Sequence, residues 1–145
     1  MPRLAQPGAA DIIRTLDLKP HPEGGLYAET HRTPAPDGER PAGTAIYYLL
    51  AAGERSHWHR IDATEVWHFY TGDALELSLS DGRTSETHRL GPDVLAGERP
   101  QVIVSPGVWQ AAVTTGAWTL VGCTVSPGFD FSGFEMAPPG WAPAG

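Results

Sequence analysis

The residues of this chain best suited to chemistry lie in one stretch, ERSHWHRIDATEVWHFYTG (54–72). His57 and His59 stand two apart, and residues two apart on a strand share a face. Glu65, Trp67 and Phe69 form a second same-facing set. If the two strands pair with these sets inward, two imidazoles and a carboxylate meet in one pocket. Such a set binds Fe(II), Mn(II) or Zn(II). Without a metal the same groups form a general acid/base pair, because histidine titrates near neutral pH. The plainer alternative is two surface histidines on an edge strand. Glu65 and His68 also fit E-x-x-H, a helical metal spacing, but their Val, Trp, Phe and Tyr neighbours favour a strand, where the two face apart.

Other side chains are candidates for binding rather than catalysis. Arg32 suits an anionic ligand group, and Glu23 stands at the proposed lip of the pocket. Trp67, Tyr70 and Trp109 suit a pocket wall for a sugar or a base; ordinary packing is the alternative. Tyr47 and Tyr48 are adjacent, so only one faces inward, and Tyr48 is taken as the pocket donor. Gln110 is a poor metal ligand but a good hydrogen-bond donor. Its presence favours a metal-free pocket over a divalent metal on His57, His59 and Glu65. Cys123 reads as a small buried hydrophobe. Asp130 and Glu135 either structure a C-terminal hairpin or add a carboxylate to the pocket.

These side chains need a β framework to position them. The period over residues 9–18 predicts a short amphipathic helix ended by Pro20 and Pro22. Beyond it the chain reads as about nine short strands divided by turn signals. Leu75, Leu77 and Leu79 alternate with Glu76, Ser78 and Ser80, and Asp81-Gly82 predicts a two-residue hairpin turn. A sandwich or closed barrel follows. No repeat or linker divides the chain. A single domain is expected over 9–137, with flexible termini at 1–8 and 138–145.

With 145 residues, 41% apolar and 19% charged, the composition is that of one globular domain. The net charge is −7 with only 10 Lys and Arg, which argues against nucleic acid. No apolar run approaches the ~20 residues of a membrane span. The single cysteine precludes an internal disulfide, and the chain reads as cytoplasmic. There is no G-x-G-x-x-G, P-loop, G-x-S-x-G, C-x-x-C or H-E-x-x-H, so the commonest dinucleotide, phosphoryl-transfer, serine-hydrolase and zincin chemistries are not indicated.

The 54–72 stretch resembles the first cupin motif, in which H-x-H is followed by Glu and then Gly. Six residues lie between Glu65 and Gly72, as in that motif, but five separate His59 from Glu65, more than the motif has. VSPGVWQ (104–110) resembles the second motif, with Ser105 in place of Pro and Gln110 in place of the last His. HPEGGLYAETHR (21–32), TAIYYLL (44–50), PQVIVSPGVWQAA (100–112) and LVGCTVSPGFDFSGFEMA (120–137) are similar to the cupin_5 family, also called DUF985. That resemblance implies an all-β, cupin-type jelly-roll β-barrel with a short N-terminal helix, a homodimer, and a small-molecule pocket inside the barrel. The fold is similar to that of RmlC-type sugar-nucleotide 3,5-epimerases, where a first-motif His is the base. That role falls on His59, with Glu65 orienting or ionising it. The expected ligand is a small polar, carbohydrate-like or nucleotide-linked molecule. The alternatives are a metal-dependent cupin and a non-catalytic ligand-binding dimer.

Overall fold

The computed structural model describes residues 8–144. The loose stretch expected at 1–8 lies, except for Gly8, outside the described residues. Helix α1 (Ala9–Leu16) starts where the Asp11 carboxylate accepts from the Gly8 amide, and it ends at Asp17, whose φ of 55° reverses the backbone before either proline is reached. Its apolar stripe, Ile12, Ile13 and Leu16, covers Leu18, Leu49 and Leu120. Amphipathic packing, rather than length, holds so short a helix.

Eleven strands follow: β1 (Lys19–Pro20), β2 (Leu26–Arg32), β3 (Thr44–Ala51), β4 (Ser56–Ile61), β5 (Thr64–Gly72), β6 (Leu75–Ser80), β7 (Ser85–Leu90), β8 (Gln101–Val104), β9 (Trp109–Thr114), β10 (Trp118–Ser126) and β11 (Phe134–Met136). They form two antiparallel sheets, ordered β1-β2-β3-β10-β5-β8 and β11-β4-β9-β6-β7. The inner faces enclose Tyr48, Leu50, Trp67, Leu75, Leu77, Leu90 and Val121, all essentially inaccessible to water. This is the expected jelly-roll arrangement. No helix among the described residues is long and apolar enough to cross a membrane.

Two local expectations need correction. The β6–β7 hairpin pairs Ser80 with Ser85, which leaves four residues in the turn rather than two. The Asp81 carboxylate accepts from the amides of Arg83 and Thr84 (both 2.8 Å) and closes this longer loop. An Asp that caps the backbone ahead of it competes with the tight Asp-Gly turn. The C-terminal segment is also not loose at Trp141. That ring lies 4.8 Å from Trp109 and 6.0 Å from Trp58, on the outer face of the second sheet.

The loop between β1 and β2 carries Glu23 into the interior. Gly24 and Gly25 have φ of 108° and 76°. A Cβ on Gly24 would collide with the Arg55 carbonyl oxygen, and one on Gly25 with Leu50, the Leu49 carbonyl and the Tyr48 hydroxyl. Both positions therefore require glycine for conformation and for space. Gly24→Ala is expected to destabilise the fold by at least the ~1–3 kcal/mol of a strained positive-φ residue. Chemical denaturation of the variant measures this, and an unchanged midpoint would contradict it.

Candidate active site

At one end of the sandwich the aliphatic core gives way to polar side chains around a cavity of about 50 Å³. Its polar wall is His21, Glu23, Tyr27, Glu29, Thr44, His59, Glu65 and Cys123; Ile46, Ile61, Val125, Phe129, Phe131 and Phe134 form the apolar remainder. The volume holds a few water-sized groups, enough for a small ligand or one end of a larger one.

The centre is an ion pair. His59 Nε2 lies 2.6 Å from Glu23 Oε2, with both side chains nearly inaccessible to water. His59 Nδ1 lies 2.7 Å from the His57 carbonyl oxygen. A backbone carbonyl only accepts, so Nδ1 carries a proton. Nε2 donates to the carboxylate, and His59 is an imidazolium. Burial works against that charge, but the charge and hydrogen bond of Glu23, aided by Glu65, outweigh it and raise the His59 pKa to about 9. In turn, the imidazolium overcomes the burial of Glu23 and holds its carboxyl below the ordinary value.

Glu65 has no such partner. Burial, then repulsion from Glu23, pushes its pKa up to about 7 despite the help of His59 and of Gln110. Gln110 Nε2 donates to Glu65 Oε1 at 2.9 Å. His21 is the other available group. Its Nδ1 accepts from the Glu23 amide at 3.1 Å, which places the neutral ring's proton on Nε2. Burial keeps His21 below its ordinary value, against the pull of Glu23. The cavity thus holds a fixed imidazolium–carboxylate pair, a carboxyl that titrates near neutrality, and a neutral imidazole with a free N–H.

The structure brings Glu23, His59 and Glu65 to one cavity and places several other candidates elsewhere. His57 is not beside His59. Ser56 pairs with Ala112 and His59 with Gln110, so β4 carries one extra residue over this span. Such a bulge breaks the two-residue alternation. Ser56 and His59 are buried, while the His57 ring turns outward, its Nε2 3.1 and 3.0 Å from the carbonyl oxygens of Ala137 and Pro138. Trp109 lies on the outer face, 4.5 Å from the Arg60 guanidinium, because its neighbour Gln110 occupies the inner one. Tyr70 is half exposed, with its ring over Gly122 and against Tyr47. The Arg32 guanidinium is forked onto Glu29 (2.9 and 2.8 Å) and also donates to the Phe129 carbonyl, so it does not enter the cavity. Tyr48 is buried beneath the site and donates to the Gly24 carbonyl. Trp67 lies under Gln110 rather than in the wall. Asp130 caps the Ser132 amide, and Glu135 pairs with Arg60 at the surface.

Sequence reasoning missed His21 and the three phenylalanines. The repeated Phe of PGFDFSGFE was their only signal, and His21 had none beyond its place in HPEGG.

The expected metal set of His57, His59 and Glu65 is therefore not assembled. Both His59 nitrogens are engaged as donors, which leaves no lone pair for a metal. Among the described residues no group of three or more His, Cys, Asp or Glu is placed to hold an ion.

Linkage gives a signed prediction. Between pH 4.5 and about 7 native Glu65 keeps a proton that the unfolded chain releases, so this group costs stability as pH rises. His59 contributes stability below pH 6.5 that is lost as pH rises through about 9. Glu23 contributes above pH 4.5 and loses its contribution on acidification. Glu65→Gln is expected to remove the first decline, gaining a few kcal/mol on the wild type by pH 8, at ~1.4 kcal/mol per pKa unit. Urea midpoints across pH 4–9 measure it; parallel profiles would refute it.

A cupin-superfamily family model, Cupin_5 (DUF985), matches residues 10–137. No curated protein matches the sequence. Among solved structures, a Shewanella oneidensis protein is 41% identical, with a TM-score of 0.86, over 91% of this chain and 85% of its own. A hypothetical protein from Leishmania major is 32% identical, with a TM-score of 0.82, over 90% and 88%. A dTDP sugar isomerase from Desulfovibrio desulfuricans is 18% identical, with a TM-score of 0.60, over 81% and 83%, a likeness of fold. With the family match spanning almost all of the described residues, this chain belongs to the Cupin_5 (DUF985) family of the cupin superfamily.

Proposed function

We propose that this cupin binds a small, uncharged, carbohydrate-like hydroxycarbonyl compound and moves a proton on it, as isomerases and epimerases do, without a metal. The observation that carries this reading is Glu65, a buried carboxyl titrating at about 7, placed beside a fixed imidazolium–carboxylate pair in one cavity. A proton carrier works best when its pKa lies near the working pH. Ionised Glu65 takes the proton from a carbon next to the carbonyl. The electron pair moves to the carbonyl oxygen, and the same carboxyl delivers the proton to the former carbonyl carbon while the hydroxyl proton of the first carbon passes to the former carbonyl oxygen, which gives the isomeric hydroxycarbonyl compound. His21 donates from Nε2 to the oxygen that becomes negative, and the fixed charge of His59 stabilises that oxygen at short range. The role expected of His59 as the base passes to Glu65, because both His59 nitrogens are already committed as donors.

The apolar wall suits the C–H face of a sugar-like ligand. Electrostatics favour an uncharged ligand over a nucleotide-linked one. Arg32 and Arg40, in the adjoining surface cleft, are forked onto Glu29 and Asp62 and are not free to hold a diphosphate.

Small aldoses and ketoses, with glyceraldehyde and dihydroxyacetone among them, incubated with the protein in D₂O provide the test. Deuterium is expected at the carbon next to the carbonyl, with a pH–rate midpoint near 7. Glu65→Gln should reduce the rate by ~100-fold or more. Binding without exchange would reduce the protein to a ligand carrier, and exchange unaffected by Glu65→Gln would refute the mechanism. The proposal includes a second copy of the chain as partner; sedimentation showing only monomer at micromolar concentration would remove that part.

A further inference from the structure

Glu65 is reached from below by a chain of two buried side chains. Trp67 Nε1 donates to Gln110 Oε1 at 2.7 Å, and Gln110 Nε2 donates to Glu65 Oε1 at 2.9 Å. Trp67 and Gln110 have no measurable exposure. An indole N–H donates and never accepts, so the Gln110 carbonyl must face Trp67. The amide orientation, which heavy-atom positions alone leave ambiguous, is thereby fixed by chemistry. The NH₂ group must then face Glu65.

We infer that Gln110, oriented by Trp67, is a positioning residue that pins Glu65 Oε1 as a permanent acceptor and so confines the mobile proton of Glu65 to Oε2. Gln110 takes Oε1, the Cys123 thiol is the other side-chain donor beside the carboxyl, and Glu65 lines the cavity, so Oε2 is the oxygen that Gln110 leaves to a ligand. A carboxyl whose two oxygens were equivalent would spend part of its time with the proton turned away from the ligand. The relay removes that arrangement. This inference rests on the reading of Glu65 as proton carrier, but its test requires no ligand.

The other groups facing Glu65 are Glu23 from the β1–β2 loop, His59 from β4 and Cys123 from β10. None of them supplies the amide donor. In wild-type protein with labelled Gln and Glu side chains, NMR titration is expected to show the Gln110 amide resonances moving with the same midpoint as the Glu65 carboxyl, with one amide proton protected from exchange. A Gln110 amide that stays unchanged through the Glu65 titration would overturn the inference. Trp67→Phe keeps Gln110 and an aromatic ring but removes the indole donor. The amide is then free to turn its carbonyl toward Glu65, and the carboxyl midpoint should rise by about one pH unit, a tenfold change in proton affinity. Gln110→Met keeps the volume and removes the donor, and it should shift the midpoint in the same direction. Folded variants with an unshifted midpoint would reduce Trp67 and Gln110 to packing residues. Failure here leaves the isotope-exchange test of Glu65 intact, and failure of that exchange leaves this titration intact.

Discussion

The buried pair of His59 and Glu23 is the interaction around which this site is built. Two opposite charges removed from water are tolerated only with close geometry and with their remaining polar atoms satisfied. The geometry here is close, and both nitrogens of the imidazolium are satisfied. Glu23 Oε2 meets Nε2 at 2.6 Å, and Nδ1 is satisfied by the His57 carbonyl. Removing one partner from such a pair commonly costs about 3–5 kcal/mol, because the other charge is left buried alone. Much of the local architecture follows from this demand. The two glycines after Glu23 let its loop approach β3 and the Arg55 carbonyl closely enough to deliver the carboxylate. The β4 bulge turns His59 inward and leaves the His57 carbonyl in position to hold it.

Once His59 is fixed as a cation, the other groups divide the chemistry among themselves. Glu23 is committed to the pair. Glu65 feels both the burial and the Glu23 charge, and so becomes the group whose protonation is close to balanced at neutral pH. His21, with one nitrogen taken by the Glu23 amide, stays neutral and lines the cavity. Cys123 lies in the same wall, but burial first, and then Glu65 and Glu23, push its thiol well up, which keeps it protonated and unreactive. Environment, rather than residue type, therefore assigns the roles.

The polar site also depends on the apolar part of the molecule. The Leu75, Leu77, Leu90 and Val121 core holds the two sheets at a fixed separation, so that Glu65 on β5 and Gln110 on β9 meet across it. Outside the barrel, the Trp58, Trp109 and Trp141 cluster ties the C-terminal segment to the second sheet. Trp109, which looks from its residue type like a ligand wall, serves here as external packing.

The sequence alone determined the β framework and the N-terminal helix, and it pointed to His59 and Glu65 in one pocket with Glu23 at its lip. Those readings rest on local signals: two-residue alternation, the apolar stripe of residues 9–18, and the HPEGG and H-x-H segments. Alternation also held enough information to put Trp109 and Tyr70 outside, since each neighbours or alternates with an inward residue. Reading them as pocket walls set residue type above period. Only the tertiary structure decided that His57 leaves the site, because a bulge is a mismatch between two strands and is written in neither one alone. It alone paired His59 with Glu23, whose positions are far apart in the chain, and brought His21, Phe129, Phe131 and Phe134 to the cavity. The same holds for protonation. Which carboxyl is ionised and which shares its proton near neutral pH depends on burial and on charges a few ångströms away, and those distances exist only in the folded chain.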